Sequence, residues 1–330
     1  MDSTRDIIIL YNNVSQEGTE DVLDSIHQAQ WIAEILTDKG YNVGLRPFSF
    51  SAIDTFATMA VTERPIIFNL VDSAPEEEYL AYLIPGILHH AHLRHTGCSL
   101  EALHATTDKV MTKHMLLNHG IATAQWISSG RLHGEIDWND KVSFILKPTS
   151  DDASVGVSDN SLLTVSALTE ALEAIGKREQ ETAVRWFAER FIEGREFTVC
   201  MYEKEGCVSV MDPYEWVFEG YEERHLPKII TYDAKWNESS YGFEHIIARY
   251  DFPDEETELL ESIRAIAKRC WALFGLSGYA RVDVRVDTWQ KPWVLEINGN
   301  PSFYGFYHSA KKANIEFESI VLDILSSSHY

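Results

Sequence analysis

The sequence predicts an α/β protein built from more than one unit, and three observations lead there. With 330 residues the chain is long for a single hydrophobic core. Over residues 6–71, short apolar strands alternate with amphipathic helical stretches, the pattern of a parallel sheet covered by helices. The last third is rich in strands and closes on RVDVRVDTWQKPWVLEINGNPS, from Arg281 to Ser302.

DIIILYN, residues 6–12, reads as a short buried strand. A helix is expected from Asp21 to Gly40, with Val22, Ile26, Ala29, Ala33 and Leu36 on its apolar face and Gly40 as terminator. YNVGLRPF and RPIIFNLV (64–71) supply two more strands, and this first α/β unit runs to residue 105. A second unit, 106–190, opens with TTDKVMTKHMLLNHG, helical to Asn118 and closed by Gly120. FILKPTSDDASVGVSD follows as strand and loop, then a helix from Ser166 to Lys177 and the strand-like ETAVRWFAERFIEG. The third unit, 191–330, carries strands in REFTVCMYEKEGCVSVM, a helix from Asp254 to Phe274 and the closing hairpin. No internal repeat or low-complexity tract interrupts this order.

Composition narrows the function. An apolar fraction of 45%, with nine Trp, fourteen Tyr and fifteen Phe, provides for substantial cores. A formal charge of −23 argues against nucleic acid or an anionic membrane as partner, because both are held through positive surface. It leaves a nucleotide open, since that needs only a few local cations. Cys98, Cys200, Cys207 and Cys270 show no metal-motif spacing and read as structural thiols in a reducing compartment. MDSTRDIIIL lacks the order of a signal peptide, and no apolar stretch approaches membrane-spanning length, so a cytoplasmic protein is expected.

In the closing hairpin, alternation puts Val282, Val284 and Val286 on one face and Arg281, Asp283, Arg285 and Asp287 on the other. Leu295 and Ile297 are expected to share a face, with Glu296 and Asn298 opposite. A four-residue loop, Thr288 to Lys291, would pair Asp287 with Pro292, Asp283 with Glu296 and Arg281 with Asn298. Two carboxylates and an amide oxygen on one face repel one another unless a cation joins them, and all-oxygen ligation suits magnesium or manganese. The same pattern also fits a solvated face with an Asp–Arg ladder, and this stretch alone does not choose between the two.

The order of further signals does. Asp108-Lys109 comes first, then Lys147 before the Ser/Gly-containing loop 149–158, then EGREFTV, AKW and RVDV…LEINGNP. In that order the chain resembles the ATP-grasp enzymes, specifically the D-alanine–D-alanine ligase-like branch, over nearly its whole length. The resemblance implies an ATP-grasp fold behind an N-terminal parallel-sheet domain, with ATP and magnesium (or manganese) between the central and C-terminal subdomains. Lys109 and Lys147 match the phosphate-contacting lysines, and Ser154, Val155 and Gly156 the loop covering the phosphates. Glu189, Arg190, Phe191 and Ile192 match the adenine hinge, Glu196 the ribose-binding acid, and Lys235 a further phosphate-contacting lysine. Asp283, Glu296 and Asn298 match the metal ligands. Arg281 matches the arginine beside the acyl phosphate, with Ser154 and Lys235 also close to the reacting groups. Lys113 reads as structural, and Arg285 and Asp287 as support.

Departures fall on the amino-acid side. NNVSQEGTEDVLDS replaces the branch's Gly-Gly turn and Ser-x-Glu-Arg-Glu-Val-Ser stretch, leaving Glu17 as the nearest match to its amine-binding glutamate. VDSAPEEEYLAY replaces another typical segment, and YDAKW carries Trp236 where tyrosine is common. The aromatic run after the metal motif differs as well, so the substrate pocket would draw on Glu17, Ser302, Phe303, Tyr307 and Ser309. The implied activity is an ATP-dependent carboxylate–amine ligase acting on amino acids, peptides or similar small molecules through an acyl phosphate. The alternatives are an authentic D-alanine–D-alanine ligase or a non-catalytic ATP-binding scaffold. The family also implies a homodimer. His89, His90, His92 and His95 in HHAHLRH invite a zinc assignment, but no nearby cysteine supports it and a helix-to-strand connection fits better.

Overall fold

A computed structural model of the chain describes residues 6–13, 20–72, 80–150 and 156–330. Glu17, Ser154 and Val155 lie outside the described residues. The first unit holds β1 (Asp6–Tyr11), α1 (Glu20–Asp38), β2 (Asn42–Pro47), α2 (Phe50–Ala57), β3 (Ile66–Asn69) and α3 (Leu83–His90). Its strands pair in parallel in the order β2-β1-β3, as alternation with helices predicts. On α1, Ala29 and Leu36 are buried as expected, but Ile32 and Ile35 complete the face while Ala33 is only partly covered. Tyr41 follows a left-handed Gly40, with φ +86°, the backbone region that glycine enters without steric cost.

HHAHLRH is the end of α3 and the turn after it, not one helical face. His95 lies in a buried bridge, its Nδ1 3.3 Å from the Leu93 carbonyl and its ring against His329. Among the described residues no cluster of three His, Cys, Asp or Glu side chains is placed to hold a metal. Nor is any described helix long and apolar enough to cross a membrane.

TTDKVMTKHMLLNHG falls on two helices, α4 (Leu100–Thr107) and α5 (Lys109–Asn118), where one was expected. Asp108 breaks them: its backbone is extended and its carboxylate accepts the Met111 N–H at 2.9 Å, an N-cap that fixes Lys109 as the first helical residue. A second, antiparallel sheet is ordered β5-β4-β8-β6-β7, from β4 (Trp126–Ser128), β5 (Arg131–His133), β6 (Val142–Pro148), β7 (Leu162–Val165) and β8 (Trp186–Arg190). Helix α6 (Leu168–Thr182) covers it. The helix runs past the expected Lys177 to a left-handed Ala183, so β8 starts later than ETAVRW suggested.

The third sheet is also antiparallel, ordered β12-β11-β9-β13-β14 with β10 on β9. Its strands are β9 (Gly194–Lys204), β10 (Cys207–Val210), β11 (Tyr214–Phe218), β12 (Ile246–Arg249), β13 (Tyr279–Asp287) and β14 (Pro292–Asn298). Helices α7 (Tyr232–Trp236) and α8 (Tyr241–His245) lie between β11 and β12. Helix α9 (Thr257–Phe274) seats Leu259, Ile263, Ala267, Cys270 and Phe274 on the sheet, a spacing that keeps one helical face inward. Val282, Val284 and Val286 are fully buried on that side, in a core that also takes Leu103 and Leu116 from α4 and α5. Helices α10 (Tyr304–Lys312) and α11 (Phe317–Ser326) join the third sheet to the first.

The closing hairpin keeps the expected register only at its far end. Arg281 pairs with Asn298 and Asp283 with Glu296, but a bulge follows, and Val286, not Asp287, faces Pro292. Leu295 is the extra residue. It turns toward the cleft beside Glu296, whereas Val294 and Ile297 enter the core, which corrects the expectation that Leu295 and Ile297 share a face. Asp287 instead closes the turn, accepting the N–H groups of Trp289 and Lys291 and the Trp293 indole, each at 2.9 Å.

Where β9 enters against the end of β13, Gly194 has φ +144°, and a Cβ there would stand 2.0 Å from the Val286 carbonyl oxygen. Gly194→Ala is therefore expected to lower stability by on the order of 3 kcal/mol, read as an earlier urea midpoint. An unchanged midpoint would contradict this close approach.

Candidate active site

The second and third sheets face each other across a cleft. Its third-sheet wall is organised by cross-strand rows. Tyr214 (β11), Thr198 (β9), Asp283 (β13) and Glu296 (β14) lie side by side across four strands. The next row is Trp216, Glu196 and Arg285. Period-two alternation explains why β9 and β13 give Glu196, Thr198, Arg281, Asp283 and Arg285 to the cleft and their valines to the core, while β11 gives Tyr214 and Trp216.

Both oxygens of Asp283 are engaged. Oδ1 accepts the Thr198 hydroxyl at 2.6 Å, and that Oγ in turn accepts the Trp216 indole N–H at 3.1 Å. Oδ2 lies 3.0 Å from both Nε and Nη2 of Arg281. Glu296 stands 3.8 Å from Arg281 and 3.9 Å from Lys109. Burial pushes the Asp283 carboxyl up, and neighbouring Glu296 adds to this against the pull of Arg281. Burial acts the same way on Glu296, but Lys109, Lys235 and Arg281 outweigh it and bring its pKa down to about 2. Asn298 pairs with Arg281 across the strands but is not among the residues lining the cleft, and its Oδ1 accepts the Asn300 N–H at 2.9 Å. Two carboxylates and an amide, all oxygen donors, form a set that suits a hard divalent cation.

Cations line the facing wall. Lys147 is the next-to-last residue of β6, and Lys109 begins α5, its N–H donating to the Thr149 carbonyl at 2.8 Å. Glu189 on β8 is 1% exposed, and its carboxylate is gripped by Lys147 at 2.6 Å and Lys113 at 2.5 Å. Burial raises the Glu189 pKa, but the two ammonium groups win and hold it below the usual carboxylate range. Arg190 continues the strand, its backbone N–H on the Gln125 carbonyl and its guanidinium 3.3 Å from the Gln125 side chain. Phe191 donates its N–H to Ser143 and carries the Arg285 guanidinium over its ring at 4.6 Å, while Ile192 is buried beside it. Glu196 pairs with Arg285 at 3.0 Å, and burial raises its carboxyl despite that partner. Lys235 is in the last turn of α7, a helix capped by Thr231, and burial lowers its ammonium, with Arg281 pressing the same way. Gly156 has φ +75° and leads into Val157, which packs on Ile145 and Ile229 under the cleft.

Lys109, Lys147, Glu189, Arg190, Phe191, Ile192, Glu196, Lys235, Arg281, Asp283 and Glu296 thus share one cleft. Of the residues expected to form the amino-acid pocket, the described Ser302, Phe303, Tyr307 and Ser309 do not line this cleft. Phe303 is fully buried, stacked on Tyr279 at 4.8 Å and packed with Phe306. Tyr307 leans on Trp31 and Phe317, and Ser309 is buried with its hydroxyl unpartnered. Ser302 Oγ lies 3.4 Å from the Tyr304 N–H, beside the contact of Gln28 with the Phe303 N–H. The helical period of α10 turns Phe306 and Ala310 inward, so Phe303 and Phe306 serve the core between the first and third sheets, while Tyr304 and Tyr307 stay exposed. Sequence reasoning passed over Thr198, Tyr214 and Trp216. The alternation from Glu196 to Thr198 was the available signal for the first, but placing Tyr214 and Trp216 beside it required the β9–β11 pairing.

The cleft thus lies between two antiparallel sheets and gathers lysines, paired carboxylates and an arginine; together with the match that follows, this places the chain among the ATP-grasp ligases of the carboxylate–amine class. The family model "D-ala D-ala ligase C-terminus" matches residues 120–326, and the chain belongs to that family. A D-alanine--D-alanine ligase of Haemophilus ducreyi is 28% identical over 335 aligned residues, covering 98% of this chain and 97% of that protein. One from Coprothermobacter proteolyticus is 28% identical over 301 residues, 89% of each chain. Among solved structures, a Bacillus anthracis D-alanine--D-alanine ligase complexed with ATP superposes with a TM-score of 0.67 at 18% identity, covering 98% of this chain and 96% of that one. The D-alanyl-alanine synthetase A of Vibrio cholerae gives 0.70 at 15% identity, with 97% of each chain covered.

Proposed function

We propose that this protein joins a carboxylate to an amine, taking amino acids or similar small molecules as substrates and spending ATP through an acyl phosphate. The observation that carries the reading is the apposition of Asp283, Glu296 and Arg281 to Lys109, Lys147 and Lys235 across one cleft. A carboxylate cannot accept an amine directly, because oxide would have to leave. Its oxygen instead attacks the γ-phosphorus of ATP and ADP departs; the amine nitrogen then attacks the acyl carbon, phosphate leaves and the nitrogen gives up a proton. Such transfer needs positive charge arranged around oxygen more than a nucleophilic side chain.

Lys109, Lys147 and Lys235 hold the phosphates in this reading, and Glu196 takes the ribose. The guanidinium of Arg281, already oriented by Asp283, stabilises charge on the acyl oxygen. Asp283, Glu296 and Asn298 hold magnesium or manganese, which when bound draws charge from the phosphates. Loop 149–158 excludes the water that would hydrolyse an acyl phosphate.

An authentic D-alanine–D-alanine ligase is the second reading, favoured by full-length relatives of that name. Against it stand Asn12 and Asn13 in place of the branch's glycine turn; Asn12 is tied by its side chain to Asp72. Phosphate release with ATP and magnesium, measured against panels of D- and L-amino acids and short peptides, separates the two. Stimulation by D-alanine alone would establish the second reading. Stimulation by another pair, with a condensed product one water lighter than its reactants, would establish the first. No stimulation by any carboxylate–amine pair, in folded protein that binds ATP, would sink both.

A further inference from the structure

We infer that Lys113, which does not line the cleft, sets how tightly the cleft holds a nucleoside triphosphate, by cancelling the charge of Glu189 so that Lys147 keeps its own for phosphate. The inference rests on the nucleotide reading of the cleft given above. Lys113 is wholly buried on α5, and its ammonium meets Glu189 Oε1 at 2.5 Å, while Lys147 takes Oε2 at 2.6 Å. One carboxylate therefore serves two lysines, and the group of three carries a single net positive charge. Lys147 and Glu189 line the cleft; the balancing cation is behind them.

Without Lys113, Lys147 and Glu189 would form a neutral pair, and the wall facing the phosphates would lose the charge that attracts them. The interior amplifies such a loss, because a buried charge is weakly screened. The remaining contacts of Lys113 fix its place. Its ammonium donates to Thr123 Oγ1 at 2.7 Å, and that hydroxyl donates to the Val294 carbonyl at 2.9 Å. The Val294 N–H in turn reaches the Ala122 carbonyl at 2.8 Å. Lys113 is thus pinned between β8 of the second sheet and β14, the strand that carries Glu296. It is a positioning residue, acting through Glu189 and Lys147 with no contact to the nucleotide.

Calorimetric titration of ATP with magnesium into the full chain tests this. Lys113→Met should weaken binding by on the order of 30-fold. Binding of adenosine, which carries no phosphate, should change by less than about 3-fold in the same variant. A merely structural lysine would behave otherwise, since a distorted cleft loses both ligands alike. Lys113→Arg, which keeps the charge, should hold ATP to within about 3-fold of wild type. Wild-type ATP affinity in Lys113→Met, or an equal loss for adenosine and ATP, would overturn the inference. Should Lys113→Met fail to fold, Lys113→Gln, which keeps a polar group beside Glu189 and Thr123, takes its place with the same two outcomes. If the wild-type chain itself takes no ATP, the nucleotide reading falls and the inference with it; wild-type binding with unresponsive variants removes the inference alone.

Discussion

Asp283→Asn is expected to lower kcat by about a thousand-fold or more while leaving the fold in place. Asparagine keeps the size of the side chain and can still accept the Thr198 hydroxyl, which holds Oδ1 at 2.6 Å. What it loses is charge, at the point where the third-sheet wall supplies it. Arg281 loses the partner that orients it from 3.0 Å, and the oxygen set of Asp283, Glu296 and Asn298 loses one of its two carboxylates. Both losses bear on charge that develops during phosphoryl and acyl transfer, so the deficit should fall on kcat more than on the KM for ATP. Steady-state phosphate release, with circular dichroism to verify folding, measures it. A variant within about 10-fold of wild type would mean that Asp283 serves the sheet rather than the reaction.

The second large effect is on stability. Glu189→Leu should cost about 3–5 kcal/mol, because it leaves a wholly buried ammonium on Lys113 with no carboxylate. Burial already pushes the Lys113 pKa down, and only Glu189 opposes that; without it the lysine must shed its proton or draw in water. Lys147 loses the same partner but is closer to solvent and suffers less. Urea unfolding with the slope unchanged would report the difference directly. A midpoint equal to that of wild type would show that the Thr123 hydroxyl suffices for Lys113, and that the carboxylate adds little.

How much of this was legible in the sequence depends on the range of the contacts involved. The parallel first sheet was legible because β1 and β3 are apolar runs set apart by helical spacing, a local signal. The Asp283–Glu296 pairing was legible because a tight turn makes neighbours in sequence neighbours in space. The bulge at Leu295 was missed although adjacent Val294 and Leu295 break the alternation, since a two-residue apolar step also fits an undisturbed buried strand. The rows that join Tyr214 and Thr198 to Asp283 depend on β9 pairing with both β11 and β13, which no local pattern encodes. The aromatic run from Phe303 was assigned to a pocket by its place after the metal motif. Its destination was set by α10, whose inward face meets α11 and Tyr279. Lys113 reads as structural in the sequence, and nothing in its own helix announces Glu189, which arrives from the second sheet.

The central claim, that ATP activates a carboxylate by phosphorylating it, is tested most directly with a donor whose carboxylate carries oxygen-18. Passage through an acyl phosphate predicts that one labelled oxygen leaves in the inorganic phosphate at each turnover, with the other retained in the condensed product. Unlabelled phosphate released in step with product would contradict the account, since the carboxylate oxygen would then never have been bonded to phosphorus.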